Sequence, residues 1–293
     1  MHLFVTGAAG FIGTAVVKDL IAAGHRVSGL VRSDKGAAIV SDAGGTAVHG
    51  DTRDGALLAQ QAAAADGVIH LAYNHDWSVP RDVAAREDIA ALAAMGEALV
   101  DTDKPLAIAS GLLGLKPGTR IDETFRHTTV VGMSRAASEQ AVLALSARGV
   151  RGVVVRLSPT VHGPHDHGFI PMIIDSARRT GVSGYVDEGT QHWPAVHVND
   201  AARLFRLVVE RGAAGSVVHA VGEEVPLKAV AEAIGIQHNL PVRSIARAEA
   251  IAHFGFLGGP LGLDTLVSSA QTQSSLSWTP TGPTLLDDIA AHY

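Results

Sequence analysis

Through the first half of the chain, short β-branched runs alternate with longer helical ones, the pattern of βαβ units that feed a parallel sheet. Strands are predicted at His2–Thr6, Val27–Val31, Thr46–His49, Val68–Leu71, Leu106–Ser110 and Gly152–Leu157. The helices predicted between them are Phe11–Ala23, Gly55–Ala65, Pro80–Asp101 and Ser134–Arg148. Gly24 and Gly149 follow two of these ends, where a left-handed residue closes many helices. Strands and helices in this order predict an α/β fold, a Rossmann-type doubly wound parallel sheet.

From Ser158 the pattern loosens into Pro- and Gly-rich loops, with helices predicted at Pro171–Thr180, Asn199–Arg211, Pro226–Ile234 and Thr284–His292. The expected organisation is a core at residues 1–157, rejoined by 195–220. A smaller C-terminal lobe, 158–194 and 221–293, is expected over the carboxyl edge of the sheet, where open α/β folds bind ligands. That makes it the substrate-binding lobe.

Thr6-Gly7-Ala8-Ala9-Gly10-Phe11-Ile12-Gly13 follows a predicted strand and opens a predicted helix, the context of a dinucleotide-binding turn. Gly7 allows the tight turn, Gly10 a close approach of backbone to pyrophosphate, and Gly13 close helix–strand packing. The pyrophosphate then lies on the amides of Ala9, Phe11 and Ile12 near the helix amino end. About 20 residues on, NAD binders carry an acid at the end of the second strand. Here Arg32 and Ser33 stand there, a guanidinium and a hydroxyl suited to the 2′-phosphate of NADP. NADP is therefore the expected cofactor, and residues 1–157 its expected binding core.

Composition narrows the class. A 293-residue chain buries enough surface to need no disulfides, and it has no cysteine. The apolar stretches Leu106–Leu115 and Phe254–Leu263 are about half the ~20 residues of a membrane-spanning helix. A net charge of -6, with both signs scattered, argues against a nucleic-acid surface or an anionic membrane partner. With no leader ahead of the first strand, the expected compartment is the cytoplasm.

These residues resemble the extended short-chain dehydrogenase/reductase superfamily, in its epimerase/dehydratase-like branch. Thr6 to Gly13 is similar to that branch's Thr-Gly-x-x-Gly-x-x-Gly, and His49-Gly50-Asp51 to the Gly-Asp whose carboxylate approaches the adenine amino group, with Thr52 beside it. The segment around Leu71 and Ala72 resembles the one that lies along the cofactor. Arg156 to Pro164, containing Ser158, Val161 and His162, resembles Arg-Pro-x-x-Val-Tyr-Gly-Pro. Val196-His197-Val198-Asn199-Asp200-Ala201 resembles His-Val-x-Asp-x-Ala. The resemblance implies a dehydrogenase or reductase acting on a small molecule, and homodimers are common in families of this kind.

The catalytic motif departs from it. The superfamily usually places a serine or threonine after strand five, and Tyr-x-x-x-Lys on the next helix. Val131 occupies the tyrosine position and Arg135 the lysine position. With three tyrosines in the chain, Tyr73, Tyr185 and Tyr293, none followed four residues on by lysine, the usual pair is absent by count. Atypical branches carry His-x-x-x-Arg at these places, of which only the arginine is kept.

Ser110 matches the serine position, as a donor to a substrate oxygen. Arg135 is expected to hold the ribose hydroxyls and supply positive charge. Histidine is the side chain whose ordinary pKa suits the missing acid. Among fifteen, His75, His127, His162, His165 and His167 fall near predicted strand ends or in adjacent loops, and Tyr73 is a further candidate donor. A surface or packing role is the alternative for each. His162 to His167 has no recognised metal-ligand spacing, so a loop is expected there and no metal. Trp77 and Trp193 are expected either to wall an apolar pocket or to pack between lobes. The leading expectation is an NADP(H)-dependent oxidoreductase for a partly apolar carbonyl, enone or imine. The alternative is a cofactor-binding sensor that has lost catalysis.

Overall fold

The computed structural model describes residues 1–76, 78–127 and 134–293. Twelve strands are present among them: β1 (His2–Thr6), β2 (Arg26–Val31), β3 (Thr46–His49), β4 (Gly67–His70), β5 (Pro105–Gly111), β6 (Arg151–Leu157), β7 (Thr160–His162), β8 (Ser183–Val186), β9 (His192–His197), β10 (Ser216–Ala220), β11 (Glu223–Pro226) and β12 (Val242–Ile245). The α-helices are α1 (Phe11–Ala22), α2 (Asp34–Asp42), α3 (Gly55–Ala64), α4 (Arg81–Glu97), α5 (Ser134–Leu145), α6 (Phe169–Thr180), α7 (Val198–Arg211), α8 (Leu227–His238), α9 (Ala250–Phe254), α10 (Ala270–Leu276) and α11 (Leu285–His292).

The chain divides into two compact units. The first is Met1–Ser110, Phe125–Arg156 and Ala201–Val218; the second is Gly111–Thr124, Leu157–Asp200 and His219–Tyr293. In the first, the sheet runs β10-β6-β5-β4-β1-β2-β3, and the pairs from β3 through β2, β1 and β4 to β5 are all parallel. This is the doubly wound order, with its reversal between β1 and β4, where such sheets bind ligands. β4 is buried along its whole length, as strands covered on both faces must be. Phe4, Leu30, Leu58, Leu92, Met95 and Val154 belong to one buried core of this unit. Each α1 residue that is buried, Gly13, Val16, Val17 and Leu20, lies on one helical stripe.

The second unit holds a three-stranded sheet, β11-β9-β7, and a two-stranded one, β12-β8. β9 pairs antiparallel with β11 and parallel with β7. Trp193 of β9, Ile170 and Ile174 of α6, Val230 of α8 and Ile289 of α11 share its buried core. These short strands lie where the sequence pattern reads as loop, because runs of three to six residues carry too little periodicity to be distinguished from turns. α2 was likewise not predicted. Among the described residues no helix is long and apolar enough to cross a membrane.

Candidate functional site

The chain leaves β1 through Gly7, at φ +69°, a backbone conformation glycine adopts without strain. The Gly10 amide donates to the Gly7 carbonyl at 3.0 Å, and α1 begins with no side-chain cap and no acid in its first turn. A helix start without a cap or an acid is the end at which the dipole favours an anionic ligand. A Cβ at Gly7 would stand 2.8 Å from the Ala72 nitrogen. That closeness is fixed by two bonds, Leu71 N–H to the Thr6 carbonyl at 3.3 Å and Ala72 N–H to Thr6 Oγ1 at 3.2 Å. The turn, with Ala9 half-buried and Gly10 exposed beside it, fits a dinucleotide pyrophosphate.

Arg32 and Ser33 follow β2 and are exposed. Ser33 caps α2, its Oγ accepting from the Gly36 amide at 3.2 Å. Asp51 is engaged by Arg53, whose backbone N–H and Nε donate to Oδ1 at 2.9 and 2.8 Å and whose Nη2 donates to Oδ2 at 3.2 Å. These bonds hold its carboxyl below the usual range, and the nearby Arg32 charge adds to the effect. Thr52, between them, is half-buried.

Deeper in the same unit lie two buried carboxylates. Asp88, on α4, accepts from His70 Nε2 at 3.1 Å and from the Ser138 hydroxyl, and its Oδ2 lies 3.8 Å from Arg135 Nη1. Burial pushes its pKa up, but the His70 hydrogen bond and the charges around it bring the net value below the ordinary one. Glu139, on α5, accepts from the Ser110 hydroxyl at 2.5 Å and from Arg156 Nη2 at 2.7 Å, with His127 Nε2 at 3.4 Å. Its pKa is likewise pushed up by burial and brought below normal, chiefly by Arg156. Arg156 is fully buried and donates in addition to the Phe125 carbonyl at 3.1 Å.

Arg135 donates to the Ala109 carbonyl at 3.1 Å, and its guanidinium lies 3.8 Å above the centre of the Tyr73 ring. The Tyr73 ring meets His75 edge-on at 5.2 Å. Residues 3–221 match the NAD-dependent epimerase/dehydratase family. The chain belongs to that family. An uncharacterised protein of Schizosaccharomyces pombe is 43% identical over 292 residues, covering 99% of both chains. A 4-hydroxy-2-methyl-3-oxo-4-farnesyl-3,4-dihydroquinoline-1-oxide ketoreductase of Stigmatella aurantiaca is 28% identical over 268 residues, covering 87% of this chain and 80% of its own. The dTDP-glucose 4,6-dehydratase DesIV of Streptomyces venezuelae, solved with NAD bound, shares the fold at a TM-score of 0.78 and 21% identity, over 99% and 95% of the two chains. The chain thus has the Rossmann oxidoreductase fold of a nucleotide-dependent family.

Against that family background, the structure brings together Tyr73, His75 and Arg135, and joins Ser110 to the Arg135 helix through Glu139. Ser110 is only 5% exposed and its proton is given to Glu139, so it is a link in a buried network rather than an open donor. His162 is an interior residue of the second unit, 1% exposed, with Nδ1 2.6 Å from Asp288 Oδ2. Ser158 gives its hydroxyl to the Ala220 carbonyl at 2.7 Å, and Val161 is half-buried in β7. Trp193 is buried against Phe169, the ring centres 5.9 Å apart. Among the described residues, no group of three or more histidines and carboxylates is arranged to hold a metal. Val131 and Trp77 lie outside the described residues.

His70, Asp88, Ser138 and Glu139 were not singled out from the sequence. One signal was present: Asp88 interrupts the buried face formed by Ala84, Ala91, Leu92 and Met95 of α4. A carboxylate on such a face needs an interior partner.

Proposed function

We propose that this chain is an NADP(H)-dependent oxidoreductase acting on a small or medium-sized, partly apolar carbonyl, enone or imine, with Tyr73 handling the proton and Arg135 the adjacent charge. The observation that carries this reading is the Arg135 guanidinium, 3.8 Å above the Tyr73 ring. The family's usual tyrosine and lysine share one helix. Here the cation stays at its place on α5, and the hydroxyl comes from the loop after β4. When bound, the nicotinamide supplies or accepts the hydride. Tyr73 gives its phenolic proton to the substrate heteroatom, and Arg135 stabilises the charge left on the ring oxygen. Arg135 keeps 24% of its side chain exposed, enough to reach a ribose hydroxyl as well. His75, exposed and edge-on to Tyr73, returns the proton from solvent. Ser110 acts through its lone pairs, accepting from a protonated imine or an alcohol.

Arg32, exposed just after β2, supplies the forked donors that a 2′-phosphate requires, which supports NADP over NAD. The first unit is assigned the cofactor and the second the recognition of substrate. The likeness to a ketoreductase supports a carbonyl among the substrate classes. The test is a panel of ketones, enones and imines with NADPH and NADH, run on the native chain and on Tyr73→Phe. The expected result is faster oxidation of NADPH and a loss of about a hundredfold in turnover for Tyr73→Phe, the scale of one lost general acid. Full activity in Tyr73→Phe would remove the assigned acid. NADPH binding with no turnover of any class would overturn the enzyme reading in favour of a redox-sensing module.

A further inference from the structure

We infer that Asp88 is a positioning residue, which holds the Arg135 guanidinium against Tyr73 as part of one buried line running from the glycine turn to the proton-handling tyrosine. The inference rests on the Tyr73–Arg135 reading for its link to catalysis, but its geometry stands apart from any turnover. Asp88 is 6% exposed, and each of its oxygens has separate work. Oδ1 accepts from His70 Nε2 at 3.1 Å. Oδ2 accepts from the Ser138 hydroxyl and faces Arg135 Nη1 at 3.8 Å.

The far side of His70 completes the line. Its Nδ1 is 2.8 Å from Thr6 Oγ1, which also takes the Ala72 N–H at 3.2 Å. With a neutral imidazole, the Thr6 hydroxyl donates to Nδ1 and the Nε2–H is left for Asp88, so every proton is used. Thr6 immediately precedes Gly7, and Ala72 immediately precedes Tyr73. One carboxylate therefore ties together the ends of β1 and β4, the face of α5 that carries Arg135 and Ser138, and its own helix α4.

A cation lying on an aromatic face is held by a modest attraction and turns away unless other groups fix its plane. Among the described residues, the Ala109 carbonyl at 3.1 Å and the Asp88 carboxylate are such groups for Arg135, and Asp88 is the carboxylate that acts on it most strongly, ahead of Glu139. Asp88→Asn keeps an oxygen for His70 but replaces the acceptor facing Ser138 and Arg135 with an amide NH₂ or leaves His70 facing one. Either rotamer repels a donor that the carboxylate attracts.

The test follows the three tyrosine rings of the full chain by aromatic NMR with labelled tyrosine, Tyr73 being assigned from its loss in Tyr73→Phe. In Asp88→Asn the Tyr73 resonances are expected to move while those of Tyr185 and Tyr293 stay, and in Asp88→Glu to return part-way. Turnover is expected to fall about ten- to a hundredfold, the scale of a misplaced catalytic group, with the KM for NADPH little changed. Should Asp88→Asn fail to fold, Ser138→Ala, which frees one oxygen of Asp88, is expected to move Tyr73 in the same direction by less. Unmoved Tyr73 resonances in folded variants would overturn the inference, whatever the activity. Full turnover in Tyr73→Phe would instead overturn the assigned acid and leave the NMR result standing.

Discussion

Glu139 in the first unit and Asp288 in the second are both almost fully buried carboxylates, yet they are neutralised in opposite ways. Glu139 receives the fork of Arg156, with Nε at 3.1 Å and Nη2 at 2.7 Å. Asp288 is ringed by histidines: His162 at 2.6 Å, His197 at 3.8 Å and His292 at 3.9 Å. A guanidinium keeps its charge at any physiological pH, whereas imidazoles exchange theirs within it. Glu139 is thus held by a permanent charge, that of Arg156. The second unit holds its carboxylate among groups that adjust.

The sharpest test of that contrast removes each carboxylate. Glu139→Ala strands a fully buried arginine, and is expected to cost about 3–5 kcal/mol of stability, the usual penalty for breaking a buried ion pair. Asp288→Ala strands no arginine, and about 1–3 kcal/mol is expected for the lost His162 hydrogen bond. Denaturant unfolding of the two variants checks the order, and equal losses would break the comparison.

A smaller effect separates the units by pH. Asp88 and Glu139 lie below their ordinary pKa in the folded chain, so their stabilisation is present above the carboxylate range and is lost only as pH falls through it. His197 has its pKa lowered from about 6.5 by burial, the favourable pull of Asp288 notwithstanding, and His238 and His253 are lowered by burial too. A histidine that the fold keeps neutral destabilises as pH drops below its unfolded value, by up to about 1.4 kcal/mol per pH unit. Asp166, raised by burial, works in the opposite sense as the carboxylate range is approached. Hydrogen-exchange protection factors, each corrected for the intrinsic rate at its pH, are expected to fall in the second unit between pH 7 and 5 and to hold in β4 and α5.

The smallest effects are expected to be the same in both units. Ser33→Ala removes the cap of α2, and Thr284→Ala the capping box of α11. Each is expected to lower stability by about 1 kcal/mol in thermal unfolding, because a cap acts locally whatever the chemistry of the core around it.

Much of the first unit was legible because its signals are local. The strand, glycine turn and helix from His2 to Ala22 follow from adjacent residues, and Gly24 and Gly149 take the left-handed conformation expected of them, at φ +84° and +70°. The sequence also indicated the absence of Tyr-x-x-x-Lys and the retention of a cation at position 135. The cap that Ser33 provides to α2 was not read from the sequence, because α2 itself was not predicted. The five strands of the second unit outside the main sheet were illegible, being too short for an alternating pattern to accumulate.

By itself, the sequence determined the family fold, the turn that suits a dinucleotide, and the absence of a Tyr-x-x-x-Lys pair, since all three are read from residues at fixed spacing. Only the tertiary structure decided which side chains meet across long separations. Tyr73 lies on Arg135, Ser110 gives its proton to Glu139, His162 is held by Asp288, and Asp88 joins Thr6 through His70 to α5. Spacing fixes local geometry, but partners dozens of residues apart are chosen by burial, which brings charges together only where each finds another to satisfy it.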